Sequence, residues 1–252
     1  VTLGVAAFSA AGLQAADAGK VWEVTASLRG FYDDNYTTSP EALAEESWGI
    51  EVSPGFNLTI GEGTDLEFSA GYAFGMRYYE DRESDNEDYG HELGISLNKA
   101  FSDTSLLQLS DSFVIAQEPE ILNGGTPLRT EGDNLRNTIS ASYRQVLAGN
   151  ILGELGYGNS IFDYEEAYHS ALLDRSHNQV NLDVIYDMGQ TEYFVGYKFA
   201  STDFDGGDLG FGSGFNSDAR DNDSHYGYVG VRHQLNKEFV ASAQVGAQYV
   251  DY

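Results

Sequence analysis

The chain has 252 residues, of which 13 are basic and 40 acidic, and its net charge is −27. It has no cysteine, which excludes a disulfide framework and thiol chemistry. The acidic excess argues against nucleic acid as a partner, because phosphate binding needs clustered lysine and arginine.

The first residues have the composition of a secretory signal peptide. Residues 1–15 read VTLGVAAFSAAGLQA, an apolar stretch followed by small residues, and cleavage is expected after Ala15 or Ala16. No basic segment or initiator methionine precedes the stretch, so residues 1–16 are predicted to be a partial signal peptide. No later segment has the ~20 consecutive apolar residues of a transmembrane helix.

Residues 17–252 are predicted to form one all-β domain. We expect eleven strands of about ten to fourteen residues, a length that suits a tilted membrane-spanning strand. Their connections alternate between long and short. The long ones are 33–46, 79–89, 117–133, 163–177 and 201–223, and the short ones are 60–64, 101–104, 147–150, 187–191 and 236–238. This alternation predicts an up-and-down antiparallel transmembrane β-barrel in the outer membrane of a Gram-negative bacterium, with the long loops outside the cell and the short turns in the periplasm.

Period-two alternation supports the strands, because successive side chains of a strand point to opposite faces. In the third strand Leu66, Phe68, Ala70, Tyr72 and Phe74 alternate with Asp65, Glu67, Ser69, Gly71 and Ala73. A soluble β-sandwich also alternates, but its strands average five or six residues. The phases of strands seven and ten are ambiguous. For strand ten we choose Val229, Val231 and Leu235 outward, with Tyr228 and Arg232 inward.

Two residues break the expected pattern. Asp111 falls on the apolar face of strand five, where a carboxylate at the bilayer midplane is unfavourable, so we expect a bulge that turns it inward. Pro54 lies inside strand two and has no backbone N–H to donate, so a bulge or a local break is expected there as well.

The odd number of predicted strands indicates that the complete protein has at least one more strand. Single-chain bacterial barrels have even numbers of strands, and eleven is odd. The last residues, up to Tyr252, also lack the apolar alternation of a barrel-assembly signal. The expectation is a barrel of at least twelve strands in the complete protein, truncated here at the C-terminus.

The first strand ends in Gly30-Phe31-Tyr32 and then Asp33-Asp34-Asn35. This ending, together with the signal peptide and the meander, resembles the putative outer-membrane β-barrel porin families, in which an Asp-Asp-Asn turn after the first strand recurs. The resemblance implies a porin-like barrel, and some members of these families are linked to exopolysaccharide export. The three residues also have a local explanation, because Asp and Asn side chains cap their own backbone where loops begin.

The five long connections hold 25 of the 40 acidic residues, and the densest run is 80–88. One interpretation is loops that are simply solvated. The other is carboxylates bridged by divalent cations to the anionic glycolipid of the outer leaflet, which makes outer-membrane lipid and lipopolysaccharide the expected partners.

The inward face is predicted to carry both signs of charge. Two interpretations stay open: ion pairs that pack a small barrel, or a charged constriction that selects solutes. The candidate residues are Arg29, Glu51, Glu67, Arg77, Glu92, Arg136, Arg144, Asp183, Lys198 and Arg232.

No catalytic, cofactor-binding or metal-binding motif is recognised, and the protein is expected not to be an enzyme. The five histidines lie at strand ends or in loops, with no pair at metal-ligand spacing. His177 with Asp174, or His225 with Asp223, could be taken as a catalytic pair, but neighbours of this kind are expected by chance in acidic loops.

The predicted function is porin-like passage of small solutes, or export of a polymer, through a polar lumen. The alternative is a structural or adhesive surface barrel that acts through its acidic extracellular loops. The two differ in the interior, because small barrels are filled by side chains whereas larger ones leave an aqueous channel. The transported substrate and the oligomeric state are left open.

Overall fold

The computed structural model describes residues 21–36, 41–82, 86–116, 133–205, 217–236 and 239–252. The predicted signal peptide lies outside the described residues. No helix among the described residues is both long and apolar enough to cross a membrane.

Eleven antiparallel strands form one sheet, in which every strand pairs with its neighbours in chain order. The all-β, up-and-down meander predicted from the sequence is therefore confirmed. The first and last strands are the two edges of this sheet and are not paired with each other. The strands are β1 Trp22–Asp33, β2 Ser47–Ile60, β3 Leu66–Tyr79, β4 Glu87–Ser102, β5 Ser105–Ala116, β6 Asn134–Ala148, β7 Ile151–Asp163, β8 Arg175–Asp187, β9 Thr191–Asp203, β10 Asn222–Gln234 and β11 Val240–Asp251.

The connections gather by length at the two ends of the sheet, which we call the long-loop end and the short-turn end. Three of the short turns contain glycine in the left-handed region, Gly61 with φ 75°, Gly149 with φ 52° and Gly189 with φ 86°, a conformation that costs other residues steric strain. The long connections carry the only described helical segments. These are 3-10 helices at Glu41–Leu43 and Ser217–Arg220 and the short α-helix α1, Ala167–Leu173, which the sequence did not predict.

One face of the sheet is apolar and exposed, and the opposite face is polar. In β8 the side chains alternate strictly: Leu182 is 56% exposed and Val184 43%, whereas Asp183 is only 9% exposed. Because the apolar residues are the exposed ones, the sheet is arranged to meet lipid on its outer face rather than to enclose a dry core.

Aromatic side chains mark both borders of the outward face. Tyr32 and Trp48 lie at the long-loop end with ring centroids 5.0 Å apart. Tyr186 and Tyr193 lie opposite each other at the short-turn end, on β8 and β9. Aromatic girdles of this kind flank the ~25 Å apolar band of membrane barrels, since these rings suit the boundary between lipid and water.

The bulge predicted at Asp111 is absent, and of the two alternatives predicted at Pro54 the structure has the local break and not the bulge. The register runs without a shift through Asp111 on both sides of β5, so its carboxylate stays on the outward face and accepts a 2.6 Å hydrogen bond from the Asn137 amide of β6. Pro54 pairs in register with Ala26 of β1. On the β3 side the ladder is interrupted between Val52 and Gly55, where proline supplies no donor.

Most of the buried residues lie at the long-loop end of the interior. Tyr79 at the end of β3 is 1% exposed, and its ring contacts those of Phe31 (centroids 5.2 Å apart) and Tyr36 (5.8 Å). Gly49 faces this group, and a Cβ there would lie 2.2 Å from the Phe31 ring. The aromatic cluster therefore narrows the interior beside the long loops.

Candidate functional site: the charged lumen

The candidate site is the polar face of the sheet, which in a closed barrel lines the lumen. Every candidate charged residue predicted from the sequence faces this side. The structure adds the register, and the register decides which charges meet. It groups them into two clusters, one near each end of the strands.

The first cluster, which we call the upper triad, joins three strands at the long-loop end. The register aligns Arg29 of β1, Glu51 of β2 and Arg77 of β3 in one row. Both guanidinium groups donate to the same Glu51 oxygen, Arg29 at 2.6 Å and Arg77 at 2.7 Å. Two arginines share one carboxylate, so the upper triad carries a net charge of +1.

The second cluster, the lower cluster, crosses β6 to β10 near the short-turn end. Arg144 donates to Glu154 through Nε at 2.8 Å and Nη2 at 2.7 Å, and Arg232 donates to Glu192 at 2.9 Å. With Asp183 these residues line a cavity of about 170 Å³. Three carboxylates face two guanidinium groups, and the lower cluster has a net charge of −1.

Asp183 is the carboxylate of the lower cluster that has neutral partners. It accepts hydrogen bonds from the Tyr228 hydroxyl at 2.6 Å and from the Asn181 amide at 2.9 Å. Gly196 of β9 lies between Asp183 and Tyr228 in the register, and a Cβ there would be 2.2 Å from the Asp183 carboxylate. The absence of a side chain at Gly196 allows this contact across β9. The hydrogen bonds from Tyr228 to Asp183 and from Arg232 to Glu192 place both side chains on the inward face, the orientation chosen for strand ten.

The remaining candidates do not join these clusters. Arg136 lies over the ring of Phe162 at the long-loop end, 5.7 Å from its centroid. Glu67, Glu92 and Lys198 form no ion pair within the part of the chain that the structure describes. The register sets them on the same face of the sheet as the paired charges, but alternation along a single strand does not tell which charges pair.

Several lumen residues were missed by the sequence analysis. Arg175 stacks on Phe162 at 3.8 Å, and Phe31 and Tyr79 form the aromatic cluster described above. Strict alternation was the available signal: it places Phe31 on the face of Arg29 and Tyr79 on the face of Arg77. A polar face was expected there, so its aromatic members were overlooked.

The suggested His–Asp pairs do not form. His177 Nδ1 lies 2.9 Å from the Thr202 hydroxyl, and His225 Nδ1 lies 2.6 Å from the Tyr197 hydroxyl. Asp174 instead accepts hydrogen bonds from the Tyr164 N–H at 2.8 Å and the Ser170 hydroxyl at 2.5 Å. Burial raises the pKa of the Asp174 carboxyl, and the nearby carboxylates of Asp163 and Asp205 raise it further. No group of three or more metal-ligating side chains is present among the described residues.

Comparison with known proteins gives similarity only at the level of structure. No protein family matches the chain, and no curated protein matches its sequence. Two solved structures of OmpT, an outer membrane protein of Vibrio cholerae, are similar. The in-vitro folded trimer form has 11% identity and a TM-score of 0.43, over 91% of this chain and 89% of that one. The loop L8 deletion mutant has 10% identity and a TM-score of 0.42, over 91% of this chain and 95% of that one.

The expectation from sequence that the protein is not an enzyme is withdrawn, because it rested on the lack of a recognised motif and a missing motif is no evidence against catalysis. The resemblance to the porin families gains no support from a family match. The chain is a bacterial outer-membrane β-barrel protein, as the antiparallel strand meander and the exposed apolar face bounded by aromatic rings indicate.

Proposed function

We propose that this protein is a porin-like channel that passes small polar solutes through its lumen. The observation that carries the proposal is the arrangement of the inward charges, which form ion pairs along the wall at both ends of the strands rather than a packed ionic core. Both guanidinium groups of the upper triad remain half-exposed, with Arg29 at 40% and Arg77 at 48%. Charges held at the wall and still open to water are suited to select solutes by charge.

The wall between the two clusters supports the same function. It is formed largely by glycine and serine, such as Gly71 of β3, Ser96 of β4 and Ser110 of β5. Small neutral residues occupy little of the interior, and serine hydroxyls can replace part of the hydration of a passing solute. The long connections hold 25 of the 40 acidic residues, and this charge raises the local concentration of cations at the long-loop end.

Single-channel recording in planar bilayers tests the proposal. We expect channel events with a weak cation preference, falling as salt rises because the field of the mouth is screened within ~8–10 Å at physiological ionic strength. Arg29→Ala and Arg136→Ala should each strengthen the preference by removing a positive charge from the lumen.

Lys99→Ala is the matched control for these variants. It removes the same charge, but Lys99 lies on the outward face, in register with Leu66 and Leu107, so ion selectivity should not change. A complete absence of channel events would reject the proposal and favour the structural or adhesive barrel. A strong anion preference would still support a channel, but it would show that the lumenal arginines and not the acidic loops determine its ion selectivity.

A further inference from the structure

We infer that the lumen is electrically polarised along its axis, with a basic half toward the long loops and an acidic half toward the short turns, so that its ion current rectifies. The inference rests on the proposed function, since it requires an open lumen. It deepens that function by assigning the residues that set the direction of easier ion flow.

The difference between the two halves is seen when the inward charged residues are sorted by position along their strands. For each residue we count how many residues separate it from the short-turn end of its own strand. Within four residues of that end lie two basic and six acidic side chains, a net charge of −4. This acidic zone consists of Glu23, Glu67, Arg144, Glu154, Asp183, Asp187, Glu192 and Arg232.

At seven or more residues from the same end, the net charge of the inward side chains changes sign. Five basic and four acidic side chains of the described strands face inward there, a net charge of +1. This basic zone consists of Arg29, Asp33, Glu51, Arg77, Asp88, Glu92, Arg136, Arg175 and Lys198. Five of the seven inward basic residues of the described strands are thus in the half that faces the long loops.

A neutral belt separates the two zones. Five or six residues from the short-turn end, each described strand presents one inward side chain, and none of the eleven is charged. Nine are glycine or serine. The belt consists of Ser27, Gly55, Gly71, Ser96, Ser110, Ser142, Gly156, Asn181, Gly196, Tyr228 and Gly246.

Two zones of opposite charge in series conduct unequally in the two directions. When the short-turn side is positive, cations enter through the acidic zone, and those anions that have passed the acidic long loops enter through the basic zone. Each ion then passes first through the zone that attracts it, and both accumulate at the belt. When the polarity is reversed, each ion must enter through the zone that repels it, and the lumen is depleted of carriers.

Recordings at both polarities test the inference. At 0.1 M salt, where the screening length is ~10 Å, we expect about twofold more current with the short-turn side positive, and near equality at 1 M, where it is ~3 Å. A membrane-impermeant label on a cysteine introduced at residue 62, in the turn between β2 and β3, assigns the side of each inserted channel.

The variants target charges that have no ion-pair partner among the described residues, so that the fold is spared. Glu23→Gln combined with Glu67→Gln changes the net charge of the acidic zone from −4 to −2. We expect the double variant to bring the ratio of the currents at the two polarities, measured at 0.1 M salt, closer to one. Asp111→Asn removes one negative charge from the outward face and should leave the ratio unchanged. If channels open but pass equal currents at both polarities, or if the double variant rectifies like the wild type, the inference is wrong. If no channel opens, the proposed function fails and the inference fails with it.

Discussion

Placing an arginine at Leu182 tests the assignment of faces most directly. Leu182 is the eighth of the thirteen residues of β8 and is 56% exposed, so it lies near the middle of the outward face. An arginine on the lipid face at the midplane costs ~2–4 kcal/mol, which lowers the folding equilibrium constant by a factor of about 30 to 1000. The neighbouring residue, Asn181, points inward and donates to Asp183. An arginine there can pair with that carboxylate and should be tolerated better.

The same comparison at β3 tests the dependence on depth. Phe68 is the third residue of its strand, close to the short-turn end, where the cost of a lipid-facing arginine falls to ~0–1 kcal/mol. Phe68→Arg should therefore impair insertion less than Leu182→Arg, and Ser69→Arg on the inward face should be tolerated. Heat-modifiable migration in gels reports the folded fraction, and urea titration in lipid vesicles reports the free energy of unfolding. Equal destabilisation by Leu182→Arg and Asn181→Arg would refute the assignment of lipid and lumen faces.

Three further predictions concern topology, the upper triad and the α1 loop. Surface labelling of intact cells should modify a tag at residue 85 but not one at residue 62, and the opposite result would invert the proposed orientation. Glu51→Gln should destabilise the folded protein by about 1–2 kcal/mol in urea titrations, because two guanidinium groups lose their shared carboxylate. The control Glu67→Gln has no ion pair to lose and should change stability by less than ~0.5 kcal/mol. Equal effects of the two variants would show that the upper triad does not stabilise the protein. Because the pKa of the Asp174 carboxyl is raised in the folded protein, its contribution to stability is full at low pH and is lost as pH rises through that raised pKa. Urea titrations should therefore show the wild type losing stability relative to Asp174→Asn over that range, and an equal pH dependence of the two proteins would contradict the prediction.

The aromatic cluster at Tyr79 shows how a face can be assigned correctly and its chemistry still be missed. Alternation along β3 follows from the geometry of an extended chain, so the direction of each side chain could be predicted from the sequence. That Tyr79 would be nearly fully buried against Phe31 and Tyr36 depends on how the long loops return over the strand ends. No local pattern encodes that return.

Asp111 shows where local reasoning was wrong. From its own strand, a carboxylate on the apolar face suggested a bulge. The structure keeps the strand regular, because Asn137, 26 residues away on β6, supplies a hydrogen bond to the outward-facing carboxylate. The partner that makes the regular strand acceptable comes from pairing between strands, which the sequence of β5 alone does not contain.

The sequence by itself determined the class of fold, the number of strands in the sheet, the faces of the regularly alternating strands and the separation of long from short connections, since these follow from period-two alternation and from the length of each segment. The tertiary structure decided which charges meet. Arg29, Glu51 and Arg77 align only because the register of β1, β2 and β3 sets them in one row, and Tyr228 reaches Asp183 across a glycine from 45 residues away. A shift of one residue between two strands would leave every local pattern intact and would separate these pairs, because register is a property of two strands together.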